Sequence, residues 1–157
     1  MANVTMRSRD AIAAKEAEAF FIINGNRYRF MQLLDFEAKI DKKKVAVPIL
    51  GKRMDGHKTV GMTGTFTATA HYNQSIMRKL LEDYKNTGID TYFEIQVTND
   101  DKESAAGRQT ITLYDCNTDG GILVKFGTGE EVIEEPIEGT FEDFKMPEGF
   151  LELEGMR

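Results

Sequence analysis

The stretch Val60-Gly61-Met62-Thr63-Gly64-Thr65-Phe66-Thr67-Ala68-Thr69-Ala70-His71-Tyr72 decides the fold. Val60, Met62, Phe66, Ala68, Ala70 and Tyr72 fall on one parity. Thr63, Thr65, Thr67, Thr69 and His71 fall on the other, with Thr59 just before them. Successive side chains of a strand point to opposite faces, so this alternation predicts a strand with one apolar and one polar face. Gly61 and Gly64 predict a bulge or a close backbone approach near its start.

After this strand, Ile76, Met77, Leu80, Leu81 and Tyr84 recur at helical spacing, with Arg78, Lys79, Glu82, Asp83 and Lys85 outside the stripe. Asn73 or Ser75 is placed to cap the helix and Gly88 to end it. Strands are expected at 91–98, 109–115, 122–126 and across 132–144, with a polar turn at 99–108. Before it, Phe20–Ile23 and Arg27–Phe30 flank Asn24-Gly25-Asn26 and read as a hairpin, because Asn-Gly supplies the positive φ of a tight turn. Residues 31–40 continue extended. Residues 41–58 carry charges, Pro48, Gly51 and Gly56 around the apolar centre Val45–Leu50. Pro48 has no N–H to give a central strand, so an excursion that is partly extended and protrudes is expected. The expected fold is mainly β with one α-helix: an antiparallel β-barrel or sandwich flanked by a helix. Residues 1–157 would form a single domain with an N-terminal arm (1–18), a long protruding loop (41–58) and a C-terminal tail (145–157).

The chain has 157 residues with a formal net charge of −6, a length that fits one domain with a proper core. Hydrophobic residues make up 41% and charged residues 29%, which argues against global disorder. A single cysteine excludes an internal disulfide framework and a Cys-based zinc cage. No apolar run approaches the roughly 20 residues of a membrane span. The first twenty residues lack the apolar core of a secretory signal, so a soluble, cytoplasmically made protein is expected. The acidic balance argues against a general nucleic-acid binder. That balance is unevenly spread. Residues 130–157 hold ten acids against Lys145 and Arg157, a net of −8. Residues 39–58 hold seven bases against Asp41 and Asp55, a net of +5. The two segments are either solvated faces or complementary surfaces of neighbouring copies.

Motifs of catalysis and ligand binding do not assemble. Asp115, Asn117, Asp119, Gly120 and Ile122 match the opening of a calcium loop, but its twelfth position, normally a bidentate Glu, is Phe126. A strand-to-strand turn uses the same residues. Cys116, His57 and His71 have no surrounding signature of a nucleophile or metal site, and Cys116 reads as a small buried hydrophobe. Gly127-Thr128-Gly129 lacks the third Gly of a dinucleotide loop. Arg27-Tyr28-Arg29-Phe30 has the base–aromatic alternation of a single-strand clamp, but it reads first as a hairpin strand with its aromatics inward and its arginines outward. No catalytic residue, cofactor site or metal site is expected.

Three segments in series resemble the tail-tube proteins of contractile-tailed phages and of phage-like elements of Gram-positive bacteria, such as defective prophages and R-type bacteriocins. They are GKRMDGHKTVGMTGTFTAT at 51–69, Thr110-Ile-Thr-Leu-Tyr-Asp115 followed by Asn117, and GTFEDFKMPE at 139–148. The N-terminus departs from the pattern, with Ala13, Ala14 and Ala17 about where glycines are expected. The resemblance implies a structural, non-enzymatic subunit. Six copies would form a ring, and stacked rings would form the inner tube of a contractile tail, conducting DNA without specific binding or delivering a puncturing device. It implies as partners the subunit itself, a sheath protein, a tape-measure protein, and baseplate and tail-terminator proteins, with no membrane binding by the subunit. Assembly would take place in the bacterial host cytoplasm, and the product would be part of the particle's tail.

A ring that closes by heterologous contacts needs two different matching surfaces on each copy. The expected inter-subunit or inter-ring contact joins Lys42, Lys43, Lys44, Val45, Val47, Ile49, Lys52 and Arg53 to an acidic surface of Glu131, Glu134, Glu135 and Glu138. The expected lumen lining is Thr63, Thr65, Thr67 and Thr69, since DNA must slide past without sticking. The alternative function is a monomeric β module that binds a small ligand or carbohydrate.

Overall fold

A computed structural model describes residues 4–157 of the chain; the first three residues of the expected arm lie outside the described residues. In chain order the elements are β1 (Ala17–Ile23), β2 (Asn26–Arg29), β3 (Leu33–Val47), β4 (Gly56–His71), α1 (Ile76–Thr87), β5 (Phe93–Asp100), β6 (Arg108–Thr118), β7 (Glu134–Phe141) and β8 (Asp143–Glu148). A short 3-10 turn, Ser8–Asp10, precedes them. The chain is thus mainly β with one helix, and its strand pairs are antiparallel. It gathers into two compact units, one from residues up to Met31, Thr91–Asp115 and Asp143–Arg157, the other from Gln32–Asp90 and Cys116–Glu142.

The first unit orders its strands β2-β1-β5-β6, with β8 on β6, so its sheet is open and ends on edge strands. Asn24 and Gly25 both have positive φ, 51° and 79°, which is the turn that the Asn-Gly pair predicts between β1 and β2. Alternation buries Phe21 and Ile23 of β1 with Phe93 and Ile95 of β5. Phe30 stacks on Phe21 with centroids 3.8 Å apart. The aromatics of 27–30 therefore face inward or pack locally, and Arg27 lies over the Phe20 ring. The arm is pinned from Asp10 onward. Ser104 Oγ donates to the Asp10 carbonyl, Ala105 N–H to Asp10 Oδ1, and Ala13 N–H to Asp101 Oδ2. Residues 145–148 belong to β8, so the C-terminal tail begins later than the sequence suggests; β8 pairs with β6 through Leu113↔Phe144 and Tyr114↔Asp143.

In the second unit the order is β6-β7-β4-β3, where β6 contributes only its last residues. Phe66, Ala68 and Ala70 of β4 bury against Ile137 and Phe141 of β7, and Phe36 of β3 stacks on Phe66. From Phe66 to Ala70 the apolar parity of the deciding strand is therefore its core face, whereas Val60 and Met62 farther out are exposed. The predicted close approach occurs at Gly64, where the Phe141 ring lies over the backbone. The predicted bulge falls where Lys43↔Gly61 gives way to Lys44↔Thr59, leaving Val60 as the extra residue. Helix α1 ends at Gly88 in the left-handed conformation, its N–H on the Tyr84 carbonyl. Residues 122–126 do not form the expected strand. Side chains take carbonyls there that a strand would offer to a partner: Tyr72 Oη donates to the Leu123 carbonyl and Arg78 to that of Ile122.

Candidate assembly surfaces

Residues 41–58 form the outer half of the β3–β4 hairpin. The β3–β4 pairing runs from Leu33↔Ala70 out to Val47↔Gly56, while β7 joins β4 only from Gly64 inward. Beyond Asp41↔Thr63 the two strands therefore pair only with each other among the described residues. Pro48 stands just past the end of β3, where its missing N–H costs no ladder bond. Lys42, Lys43, Lys44, Val45, Val47, Ile49, Lys52 and Arg53 are all exposed. Leu50 at the tip is completely exposed, and Met54, Val60 and Met62 are exposed as well. A two-stranded ribbon is marginal alone in water, and the apolar side chains along this one are left uncovered. The lysines keep it from indiscriminate edge pairing.

The threonine parity of β4 faces away from the core. Thr67 stands between Glu37 of β3 and Glu138 of β7, Thr65 between Lys39 and Thr140, and Thr69 between Asp35 and Pro136; Thr63 pairs with Asp41. Thr63 and Thr67 are exposed, Thr65 and Thr69 half-buried. These cross-strand neighbours make a hydroxyl-rich face with four acids and a single base.

The acidic set divides. Glu131, Glu134 and Glu138 are exposed. Glu135 is not available to a neighbour: its carboxylate accepts from Arg78 Nη1 at 2.5 Å, with side-chain exposures of 17% for Arg78 and 9% for Glu135. The Arg78 guanidinium also lies over the Tyr72 ring. Helix spacing placed Arg78 outside and Tyr84 inside, and both are reversed, because Met77, Arg78 and Leu81 face β7 and residues 118–122. A signal for Glu135 was present in the sequence: alternation along β7 puts it on the parity of Ile137 and Phe141, so it needs a buried partner.

A ligand module needs a largely apolar, enclosing pocket. The first unit instead has an open, polar cleft of about 810 Å³ on one sheet face. Four of its nine charged residues pair internally, Arg29 with Glu18 and Arg108 with Glu148. The Glu148 hydrogen bond raises the Arg108 pKa above its ordinary value. The calcium-like segment is a strand end, with Asp115 at φ 52° and Asn117 Nδ2 donating to Asp90 Oδ2. Cys116 is buried in the core. Among the described residues, no three His, Cys, Asp or Glu side chains gather into a metal-binding group. Nor is any helix among them long and apolar enough to cross a membrane.

The structure is thus an antiparallel β scaffold with one helix and a long hairpin whose apolar and basic side chains are exposed. The chain belongs to the phage tail tube protein family, whose model matches residues 4–148. It is 37% identical over 145 residues to the phage-like element PBSX protein XkdM of Bacillus subtilis (strain 168), covering 92% of this chain and 96% of that one. Its fold is shared by a protein of the anti-feeding prophage baseplate, with a TM-score of 0.62 at 12% identity over 93% of this chain and 97% of the other. It is shared also by the SPP1 tail tube, with a TM-score of 0.61 at 12% identity over 87% and 78%. The chain is a tail-tube subunit.

Proposed function

We propose that this subunit acts as a single tail-tube domain and self-assembles into hexameric rings that stack into the inner tube of a contractile tail. The carrying observation is the β3–β4 ribbon, which extends beyond β7 with exposed apolar and basic side chains. The ribbon is one half of a heterologous contact, and acidic surface including Glu131 and Glu134 of a neighbouring copy is the other; Glu138 lies on the threonine face and is left out of it. Apolar contact supplies the attraction and charge sets the register. The tube is assembled in the host cytoplasm around a tape-measure protein. It is bounded by baseplate and terminator proteins and enclosed by a sheath. The particle then conducts DNA or delivers a puncturing device.

The threonine face lines the channel in this reading. Among the cross-strand partners of these threonines, Asp35, Glu37, Asp41 and Glu138 stand against Lys39, so a polyanion meets hydroxyls and like charge and is not held. A cryo-EM map of the tube tests that placement, and Thr67 buried between subunits would reject it. For assembly itself, Lys42, Lys43 and Lys44 are changed together to Glu and concentrated protein is viewed by negative-stain microscopy. The expected outcome is loss of the rings and tubes formed by the unaltered chain; undiminished tubes would remove the basic hairpin from the contact.

A further inference from the structure

The connection from β6 to β7 carries a second uncovered apolar surface. Leu123, Val124 and Phe126 are 65, 77 and 84% exposed, and Val132 is exposed nearby. The segment is tethered at Ile122, Leu123 and the Lys125 side chain. Tyr72 Oη donates to the Leu123 carbonyl at 3.2 Å, Arg78 Nη1 to that of Ile122 at 3.3 Å, and Lys125 Nζ to that of Glu134 at 3.1 Å. The side chains are thus presented outward from a tethered segment, which is how a docking surface differs from a slack loop. Exposed Glu130 and Glu131 rim one end, with Lys125 only 3.8 Å from Glu130.

This surface and the hairpin tip share one design with opposite charge. At the tip, Ile49, Leu50 and Met54 are exposed beside Lys52 and Arg53. We infer that the hairpin tip of one copy docks on residues 122–132 of a second copy. Ile49, Leu50 and Met54 cover Leu123, Val124 and Phe126, and Lys52 and Arg53 meet Glu130 and Glu131. The inference rests on the proposal that the chain self-assembles through its hairpin, and it names the receiving surface. Seven residues of β3 from Asp41 to Val47 give the ribbon a reach of roughly 23 Å, ample to cross to a neighbour. Two different patches make the contact heterologous, so it propagates around a ring or along a stack and does not stop at a two-fold pair. The other candidate receivers fit less well. The threonine face is acidic and lacks exposed large apolar side chains. The cleft of the first unit offers five bases against four acids, so it gives a basic hairpin no counter-charge.

The test is site-directed cross-linking in mixed assemblies of the full chain. Leu50→Cys protein is mixed with Leu123→Cys, Val124→Cys or Phe126→Cys protein, assembled, oxidised mildly and run under non-reducing conditions. Thr67→Cys and Gln96→Cys serve as competing acceptors on the threonine face and in the cleft. A disulfide-linked dimer is expected with at least one of the three 123–126 positions and with neither competitor. Tubes that cross-link only through Thr67→Cys or Gln96→Cys, or through none of the five, overturn the receiving surface and leave self-assembly standing. An unaltered chain that forms no rings or tubes at high concentration overturns both. A charge exchange keeps the test open where a cysteine variant misfolds. Lys52→Glu with Arg53→Glu should cut tube yield at least tenfold, and adding Glu130→Lys with Glu131→Lys should restore it. A quadruple variant that assembles no better than the double one counts against the contact.

Discussion

Gly64 and Gly139 each lie beneath an aromatic ring of the facing strand. Gly64 pairs with Phe141 and Gly139 with Phe66, so two rings lie over two bare backbone segments in the β4–β7 ladder. A Cβ on Gly139 would sit 2.7 Å from the Phe66 ring and also against the Asn117 carbonyl oxygen, which is backbone and cannot swing aside. The φ angle at neither residue demands glycine; space does. Overpacking of this kind costs about 3 kcal/mol. Gly139→Ala should therefore lower the melting temperature by roughly 6–12 °C in a thermal unfolding scan. Gly61→Ala, where a Cβ meets nothing within 4 Å, is the control and should change little. Equal melting temperatures for the two variants would contradict the ring-over-glycine packing.

At the scale of elements, α1 is held by one strong tie. None of its residues is fully buried, so its stability in place depends on a thin half-buried stripe and on the Arg78–Glu135 pair. Removing one partner of such a pair strands the other charge, at a cost of about 3–5 kcal/mol. Arg78→Ala should cost close to that in denaturant unfolding. Arg78→Met combined with Glu135→Leu should recover most of it, because an apolar pair of similar bulk needs no desolvated charge. A double variant as unstable as Arg78→Ala would show that the guanidinium's contacts to Tyr72 and the Ile122 carbonyl matter more than the ion pair. Much of this element was legible beforehand: Gly88 as its end, Asn73 or Ser75 as its start (the structure takes Ser75), and β4 before it from strict alternation. Those features are local, set by spacing and by the φ that Gly or Asn-Gly tolerates. What local patterns did not carry was pairing across 57 residues between Arg78 and Glu135. The same gap explains residues 122–126, whose apolar run predicts a strand until Tyr72 and Arg78 take its carbonyls. The proposed assembly surfaces were half legible. Charge marked the hairpin, but residues 122–126 read only as a strand, and it is the structure that leaves Leu123, Val124 and Phe126 uncovered.

At the scale of the whole molecule, the hairpin can be separated from the fold. Residues 42–62 pair only within the ribbon among the described residues, whereas the β4–β7 ladder begins at Gly64 and the apolar core lies inward of it. Asp41 and Thr63 are register partners, so a two-residue Asn-Gly turn joining them closes a tight hairpin at that point. Replacing Lys42–Met62 by Asn-Gly removes six bases and one acid and takes the formal net charge from −6 to −11. It also removes much of the exposed apolar surface, so the shortened chain should be more soluble. Its far-UV circular dichroism per residue should stay close to that of the full chain, because the inner ladders are untouched. Its melting temperature should fall by no more than a few degrees, since an exposed ribbon contributes little to a fold it does not pack against. Sedimentation should show a monomer at concentrations where the full chain forms rings or tubes. A folded, shortened chain that still builds tubes would place the contacts between copies on other surfaces. A shortened chain that fails to fold would instead make the ribbon part of the fold itself. Only the first of the three outcomes, folded and monomeric, fits a subunit whose fold and assembly are carried by different parts of one long hairpin.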